Sequence, residues 1–215
     1  DHVMRKTSLF ETWFNMYNIP YDRSKIKPYV PMNAIQKTWI HEWKREKPVF
    51  LIQTNGGPLS KEMQPHSFAW TRDMPAMVAH EVVKQIGDKY HIIQVCRETS
   101  YKLPNNVERI DKPLSNFQLF SLLLASSKLL LIDSSLQHAA AAYSLASTVV
   151  WVGTDPKMFG YDLHTNITAK SPRGNVKLVD SYLFDYDFNG HYHEFPYFEK
   201  DLIVDTKEVI KALKL

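Results

Sequence analysis

From Pro48 onward the sequence alternates short apolar runs with segments patterned as helices. The runs are Val49 to Gln53, His91 to Val95, Val107 to Ile110, Leu129 to Asp133, Thr148 to Val152 and Val176 to Val179, each ending in polar or turn-forming residues. Between them lie helix patterns at Met74 to Ile86, Asn116 to Ser126 and Leu136 to Tyr143, the last rich in alanine, and Thr206 to Leu213 reads as a closing helix. Strands that alternate with helices in this way predict an α/β domain in which parallel strands are joined by crossover helices. The expectation is a Rossmann-like parallel sheet of about six strands with flanking helices, preceded by a helical segment. Small side chains in the alanine helix predict close packing on the sheet.

Before Pro48 the pattern differs. Val3, Leu9, Phe10, Trp13, Phe14 and Tyr17 recur at helical spacing, and Asn33 to Glu46 places Ile35, Trp39, Ile40 and Trp43 on one side of a second helix. The three prolines between Pro20 and Pro31 suit an extended connector. Residues 1–47 are therefore expected to form amino-terminal helices and a linker, and residues 48–215 the Rossmann-like domain. Tyr182 to Phe198 is dense in aromatics and acids, with few cues to regular structure.

Composition narrows the functional classes. With 44% hydrophobic and 23% charged residues the chain can bury an ordinary core. Its 26 basic and 23 acidic residues leave a formal charge of only +3, without the basic footprint of a nucleic-acid binder. The longest apolar stretch, near Leu122 to Ile132, is broken by Ser126, Ser127 and Lys128 and falls short of the roughly 20 residues that span a bilayer. Cys96 is the single cysteine, so no internal disulfide forms and a reducing compartment is the simplest setting. The chain starts at Asp1 without an apolar signal segment, as a fragment or trimmed product would.

In an open parallel sheet, ligands bind beyond the carboxyl ends of the strands. Two such turns stand out. Thr54, Asn55, Gly56 and Gly57 follow the first strand, where glycines allow close backbone approach or positive φ, or simply form a flexible turn. Asp133, Ser134, Ser135, Leu136, Gln137 and His138 follow the fourth and run into Ala139 to Ala142. A helix start there offers N–H groups and a positive dipole end to a phosphate. The alternative is that Ser134 or Ser135 is only an N-cap and that His138 packs on the sheet.

The stretch LLLIDSSLQHAAAAYSLASTVVWVGTDP, Leu129 to Pro156, resembles the region of bacterial heptosyltransferases that carries their Asp-Ser/Thr-Gly-x-x-His-x-Ala-Ala motif. The matching positions are Asp133, Ser134, His138, Ala140 and Ala141, followed by Gly153, Thr154, Asp155 and Pro156. Upstream, Arg72 and Pro75 fall on the family's Lys-x-Trp-Pro signature, with Arg72 for lysine and Met74 for tryptophan. Gly56 and Gly57 fall on its glycine-containing loop, and His2 to Ile19 resembles its inter-domain helix. The family glycine after Asp-Ser is Ser135 here, which alters the closest backbone approach to a donor.

The resemblance implies the donor-binding half of a two-domain GT-B glycosyltransferase. Such an enzyme transfers a heptose-like sugar, with inversion, from a nucleoside-diphosphate sugar to a cell-surface glycan precursor, in lipopolysaccharide biosynthesis. The acceptor domain and its carboxylate base would lie outside these 215 residues. No metal or other cofactor is implied, because preorganised donors can hold the diphosphate as charge builds on it. The implied donor and phosphate contacts are Thr54, Asn55, Gly56, Gly57, Arg72, Asp133, Ser134, Ser135, Gln137 and His138. Pro113 and Leu114, after the third strand, are implied neighbours of the base. The implied partners are the nucleotide sugar and a glycan or glycolipid acceptor, with no nucleic acid. The implied location is cytoplasmic, with at most peripheral contact at the inner membrane face. A non-catalytic nucleotide-binding module of the same fold is the alternative. A dinucleotide oxidoreductase would need Gly-x-Gly-x-x-Gly, whereas no glycine follows Gly57 before Gly87.

Other features are set aside. His191, His193 and Glu194 supply at most part of a metal ligand set. Asn166 to Thr168 is a glycosylation sequon that a cytosolic chain would not use. Trp13, Trp39 and Trp43 read as core or interface anchors, Trp70 stands near Arg72, and Cys96 reads as a small buried apolar residue.

Overall fold

The structure, a computed structural model, describes residues 7–56, 72–169 and 203–215. In chain order the elements are α1 (Leu9–Met16), a 3₁₀ turn (Arg23–Lys25), α2 (Ala34–Glu42), β1 (Val49–Gln53), α3 (Ala76–Ile86), a second 3₁₀ turn (Gly87–Lys89), β2 (His91–Val95) and β3 (Glu108–Ile110). There follow α4 (Asn116–Ala125), β4 (Ser126–Ile132), α5 (Ser135–Ala142), β5 (Thr148–Trp151), α6 (Pro156–Phe159), β6 (Thr165–Thr168) and α7 (Thr206–Leu213).

Among the described residues six strands form one parallel sheet in the order β3-β2-β1-β4-β5-β6. Val49 stands opposite His91 on one side and Ser126 on the other, so β1 and β4 lie at the centre. The chain builds outward in one direction up to β3, then returns to the centre and builds the other way. That reversal leaves a crevice beyond the carboxyl ends of β1 and β4.

Both sheet faces are covered, which explains the apolar character of the strands. On one face Phe50, Ile52, Ile92, Leu130, Ile132 and Val150 pack against Val78, Val82 and Ile86 of α3 and Val209 and Leu213 of α7. On the other, Leu51, Ile93, Leu129, Leu131, Val149 and Trp151 meet Leu122 and Leu123 of α4 and Leu136, Ala139 and Ala140 of α5. Alternate residues of each strand thus divide between two cores. Ala139, Ala140 and Ala141 are all buried, as the alanine pattern predicts.

The structure corrects several local expectations. Among the described residues the sixth strand is Thr165–Thr168, which the sequence did not predict; the expected strand at Val176 to Val179, and Tyr182 to Phe198, lie outside the described residues. β4 begins at Ser126, three residues earlier than its apolar run, because pairing with Val49 recruits the polar residues ahead of it. In α2 the buried side chain is Gln36 and not Ile35, which is 55% exposed. Gln36 closes a capping box with Asn33 and donates to the Tyr143 hydroxyl at 2.9 Å, and its carbonyl accepts from Ser121 at 3.0 Å. A satisfied amide thereby takes a place that periodicity assigns to an apolar side chain.

The segment read as a linker is docked on the domain. Arg23 donates to Asp162 at 2.8 Å and to the carbonyls of Lys157 and Pro156 at 2.9 and 3.1 Å, capping α6. Lys27 reaches Ser144 at 2.9 Å. Cys96 is only half-buried. Among the described residues, no helix is long and apolar enough to cross a membrane.

The close packing of α5 yields a test. Ala140→Leu should lower the unfolding free energy by about 1–3 kcal/mol through overpacking against the sheet. Ala142→Leu, at a half-buried position of the same helix, should change it by much less. Urea denaturation compares the two.

Candidate functional site

The crevice floor is built by the residues that end β1 and β4. Ser134 caps α5 by accepting from the Leu136 N–H at 3.1 Å, and donates its own proton to Gln53 Oε1 at 2.6 Å. One hydroxyl thus caps a helix and ties the two central strand ends together. Gln53 donates in turn to the Asn55 carbonyl at 3.1 Å. Gln94, in β2, donates to Thr54 Oγ1 at 3.0 Å, and Thr54 donates to Asn55 Oδ1 at 3.1 Å. The Thr54 backbone bridges outward to Val95 and Met74 at 3.1 and 2.9 Å.

These bonds redistribute the predicted roles. Thr54, Asn55, Ser134 and Gln137 are buried, with their side chains engaged inside the protein, so they shape the crevice wall. Gln137 donates to the Phe159 carbonyl at 3.1 Å, and its Oε1 is buried with no hydrogen-bond partner. Ser135 is exposed at the first position of α5. Gly56 does not adopt positive φ. Arg72 lies against it, with its guanidinium carbon 3.6 Å from where a Gly56 Cβ would stand, an ordinary van der Waals contact. Gly57 and Trp70 lie outside the described residues.

Asp133 and His138 flank the α5 start. Thr154, after β5, donates to Asp133 Oδ2 at 2.7 Å, so Asp133 orients the turn. Burial raises the Asp133 pKa above the usual carboxylate range, against the opposing Thr154 bond and Arg72 charge. Arg72 is therefore close enough to act electrostatically on Asp133. His138 Nδ1 lies 2.7 Å from the Tyr161 hydroxyl. Burial lowers the His138 pKa and pushes Tyr161 up to about 12, so both groups are neutral at pH 7. Phe10 of α1 packs on Tyr161 with ring centroids 5.9 Å apart, linking the amino-terminal segment to this wall.

Pro113 and Leu114 follow β3, the strand at one edge of the sheet. Pro113 is exposed, and Leu114 packs against the core on the α4 side, apart from the hydrogen-bonded floor. Sequence reasoning missed Asp73, Arg97 and Tyr161. Arg97 lies two residues past the end of β2, so the rule that ligand residues follow strands would have flagged it; Tyr161 had no comparable signal.

Among the described residues no group of three or more His, Cys, Asp or Glu side chains could hold a metal ion, and His191 to Glu194 lie outside them. Asn166 of the sequon accepts from the Trp151 indole at 2.8 Å and donates to the Tyr161 carbonyl at 3.1 Å. The Cys96 thiol is pushed up by burial, against Arg109, and stays protonated. A basin of about 350 Å³ lined by Arg45, Lys47, Asp88 and His91 lies at the amino ends of the strands, away from the crevice.

Two predictions test this wiring. Ser134→Ala removes both the cap and the strand tie and should cost about 1–3 kcal/mol in unfolding free energy, measured by chemical denaturation. Burial also lowers the pKa values of His138 and His164 below 6.5. As pH falls below 6.5 the unfolded chain then binds more protons than the folded one, and stability declines. Replacing both histidines by glutamine should flatten that decline, by up to about 1.4 kcal/mol per pH unit for each group.

No protein-family model matches the sequence, and no curated protein matches it. Solved structures do match in fold. E. coli ADP-heptose lipopolysaccharide heptosyltransferase II aligns over 92% of this chain and 55% of its own, with a TM-score of 0.61 and 13% identity. A family 9 glycosyl transferase from Veillonella parvula DSM 2008 aligns over 97% and 60%, with a TM-score of 0.59 and 11% identity. The dodecameric iron-containing heptosyltransferase TibC, solved in complex with ADP-D-β-D-heptose, aligns over 98% and 53%, with a TM-score of 0.58 and 15% identity. TibC comes from enterotoxigenic E. coli H10407. The chain spans little more than half the length of each of these structures, and within that span its fold is heptosyltransferase-like.

Proposed function

We propose that this chain is the donor-binding part of a glycosyltransferase that moves a heptose-like sugar, with inversion, from a nucleoside diphosphate to a glycan acceptor. The observation that carries this reading is the convergence of Gly56, Arg72 and the α5 start on the crevice where strand order reverses. The heptosyltransferase-like fold, and the nucleotide sugar held by TibC, point in the same direction.

Transfer with inversion demands that the diphosphate be held while negative charge develops on it. In this reading Arg72 provides a charge-assisted, forked donor, and the first turn of α5 provides N–H groups and its dipole. Neutral His138, held by Tyr161, adds a hydrogen-bonding group without a charge that titrates near pH 7. The buried floor of Thr54, Asn55, Gln53 and Ser134 keeps these groups in fixed relation. Charge neutralisation is assigned to Arg72 and the helix start, not to a metal. The acceptor, a glycan or glycolipid precursor, would be presented by a second domain, at most in peripheral contact with the inner membrane face. A nucleotide-binding module without transfer activity is the second reading. It is favoured by Ser135, whose side chain occupies the exposed α5 start where the heptosyltransferase motif has glycine.

Calorimetric titration with ADP, UDP, GDP and NAD tests the reading. Selective binding of one nucleoside diphosphate is expected, weakened about tenfold or more in Arg72→Ala, as for loss of a charged hydrogen bond. Absence of binding by all four would leave a shared fold and no donor site.

A further inference from the structure

Three segments meet at Asp73. One carboxylate oxygen accepts from the Gly56 N–H at 3.3 Å, after β1, and the other pairs with Arg97 Nη2, after β2. Arg97 also donates through Nη1 to the Gly56 carbonyl at 3.5 Å and through its backbone N–H to Asn55 Oδ1 at 3.4 Å. Behind it, Arg109 of β3 holds the carbonyls of Arg97 and Glu98 at 2.9 Å each and that of Tyr101 at 3.0 Å. Tyr101 closes the circuit by donating to the Met74 carbonyl at 3.1 Å.

This pair is an expensive way to hold a loop. Its side chains are only 15% and 16% exposed, and burial raises the Asp73 pKa even with Arg97 beside it. Buried ion pairs are commonly replaceable by apolar residues of similar volume without loss of stability. What an apolar pair could not supply is direction. Asp73 is covalently next to Arg72, and Gly56, bound by both Asp73 and Arg97, is the surface against which the Arg72 guanidinium lies. We infer that Asp73 and Arg97 are positioning residues that set Arg72 for an anionic ligand in the crevice. This rests on the donor-site reading above and adds the element that organises its cation.

The experiment compares nucleotide dissociation constants and melting temperatures for the parent chain, the double variant Asp73→Leu/Arg97→Met, Arg72→Ala and the triple variant. The probe is whichever of ADP, UDP and GDP the parent binds. The double variant is expected to melt close to the parent yet bind about tenfold more weakly, and to cause no further loss once Arg72 is alanine. Arg97→Lys keeps the charge but cannot serve Asp73 and the Gly56 carbonyl with one fork, and is expected to weaken binding while leaving melting unchanged. Parent-like binding in the double variant, or a tenfold loss that persists in the Arg72→Ala background, overturns the positioning role. If the double variant does not fold, parent-like binding by Arg97→Lys overturns it. A parent that binds none of the three nucleotides defeats the donor-site reading itself, before any variant is compared.

Discussion

The hydrogen bond from Ser134 to Gln53, 2.6 Å long and buried, joins the two strand ends at which the sheet changes direction. Every parallel sheet of this order splays its loops apart at that point, because the chain leaves one strand on one face and the other on the opposite face. Here α3 follows β1 on one side and α5 follows β4 on the other. A splayed floor would be wet and loosely set. Ser134 closes it with a single hydroxyl that also satisfies the Leu136 N–H. Gln53, Thr54, Asn55 and Gln94 extend the closure across the central strands and β2.

Closure has an electrostatic consequence. Burial around the floor pushes Asp73 and Asp133 up and His138 down, and burial likewise lowers His164, which sits between Ser147 and the Gln137 carbonyl. Against this background Arg72 and Arg97 present forked guanidinium donors. Arg97 is committed to Asp73, whereas the exposed Arg72 lies against Gly56. In the proposed reading, an anion entering the crevice would meet the Arg72 guanidinium and the α5 start together.

The sheet was largely legible from sequence. Strands β1 and β2 match their apolar runs residue for residue, and α7 matches its pattern. These elements have both faces or a full helical stripe buried, so their hydropathy carries the signal. β6 was not legible, because Thr165–Thr168 is an edge strand with only Ile167 fully buried. Gln36 misled for a related reason: its burial depends on Tyr143 and Ser121, more than eighty residues away, and no local pattern encodes such partners. At the site, the sequence pointed to the turns after β1 and β4, but it did not show that Thr54, Asn55, Ser134 and Gln137 have their side chains engaged inside the protein.

The sequence by itself determined that the chain is a parallel α/β domain, that an alanine helix packs tightly on its sheet, and which two strand-ending turns face the crevice. Period, turn residues and a short motif are local properties and survive without coordinates. Tertiary structure decided that Thr54 donates to Asn55 and Ser134 to Gln53, that Arg72 lies against Gly56, and that Arg97 and Asp73 bind the neighbouring loops together. Those outcomes rest on which hydrogen-bonding groups lie within about 3 Å of each other after burial, a relation that sequence distance does not contain.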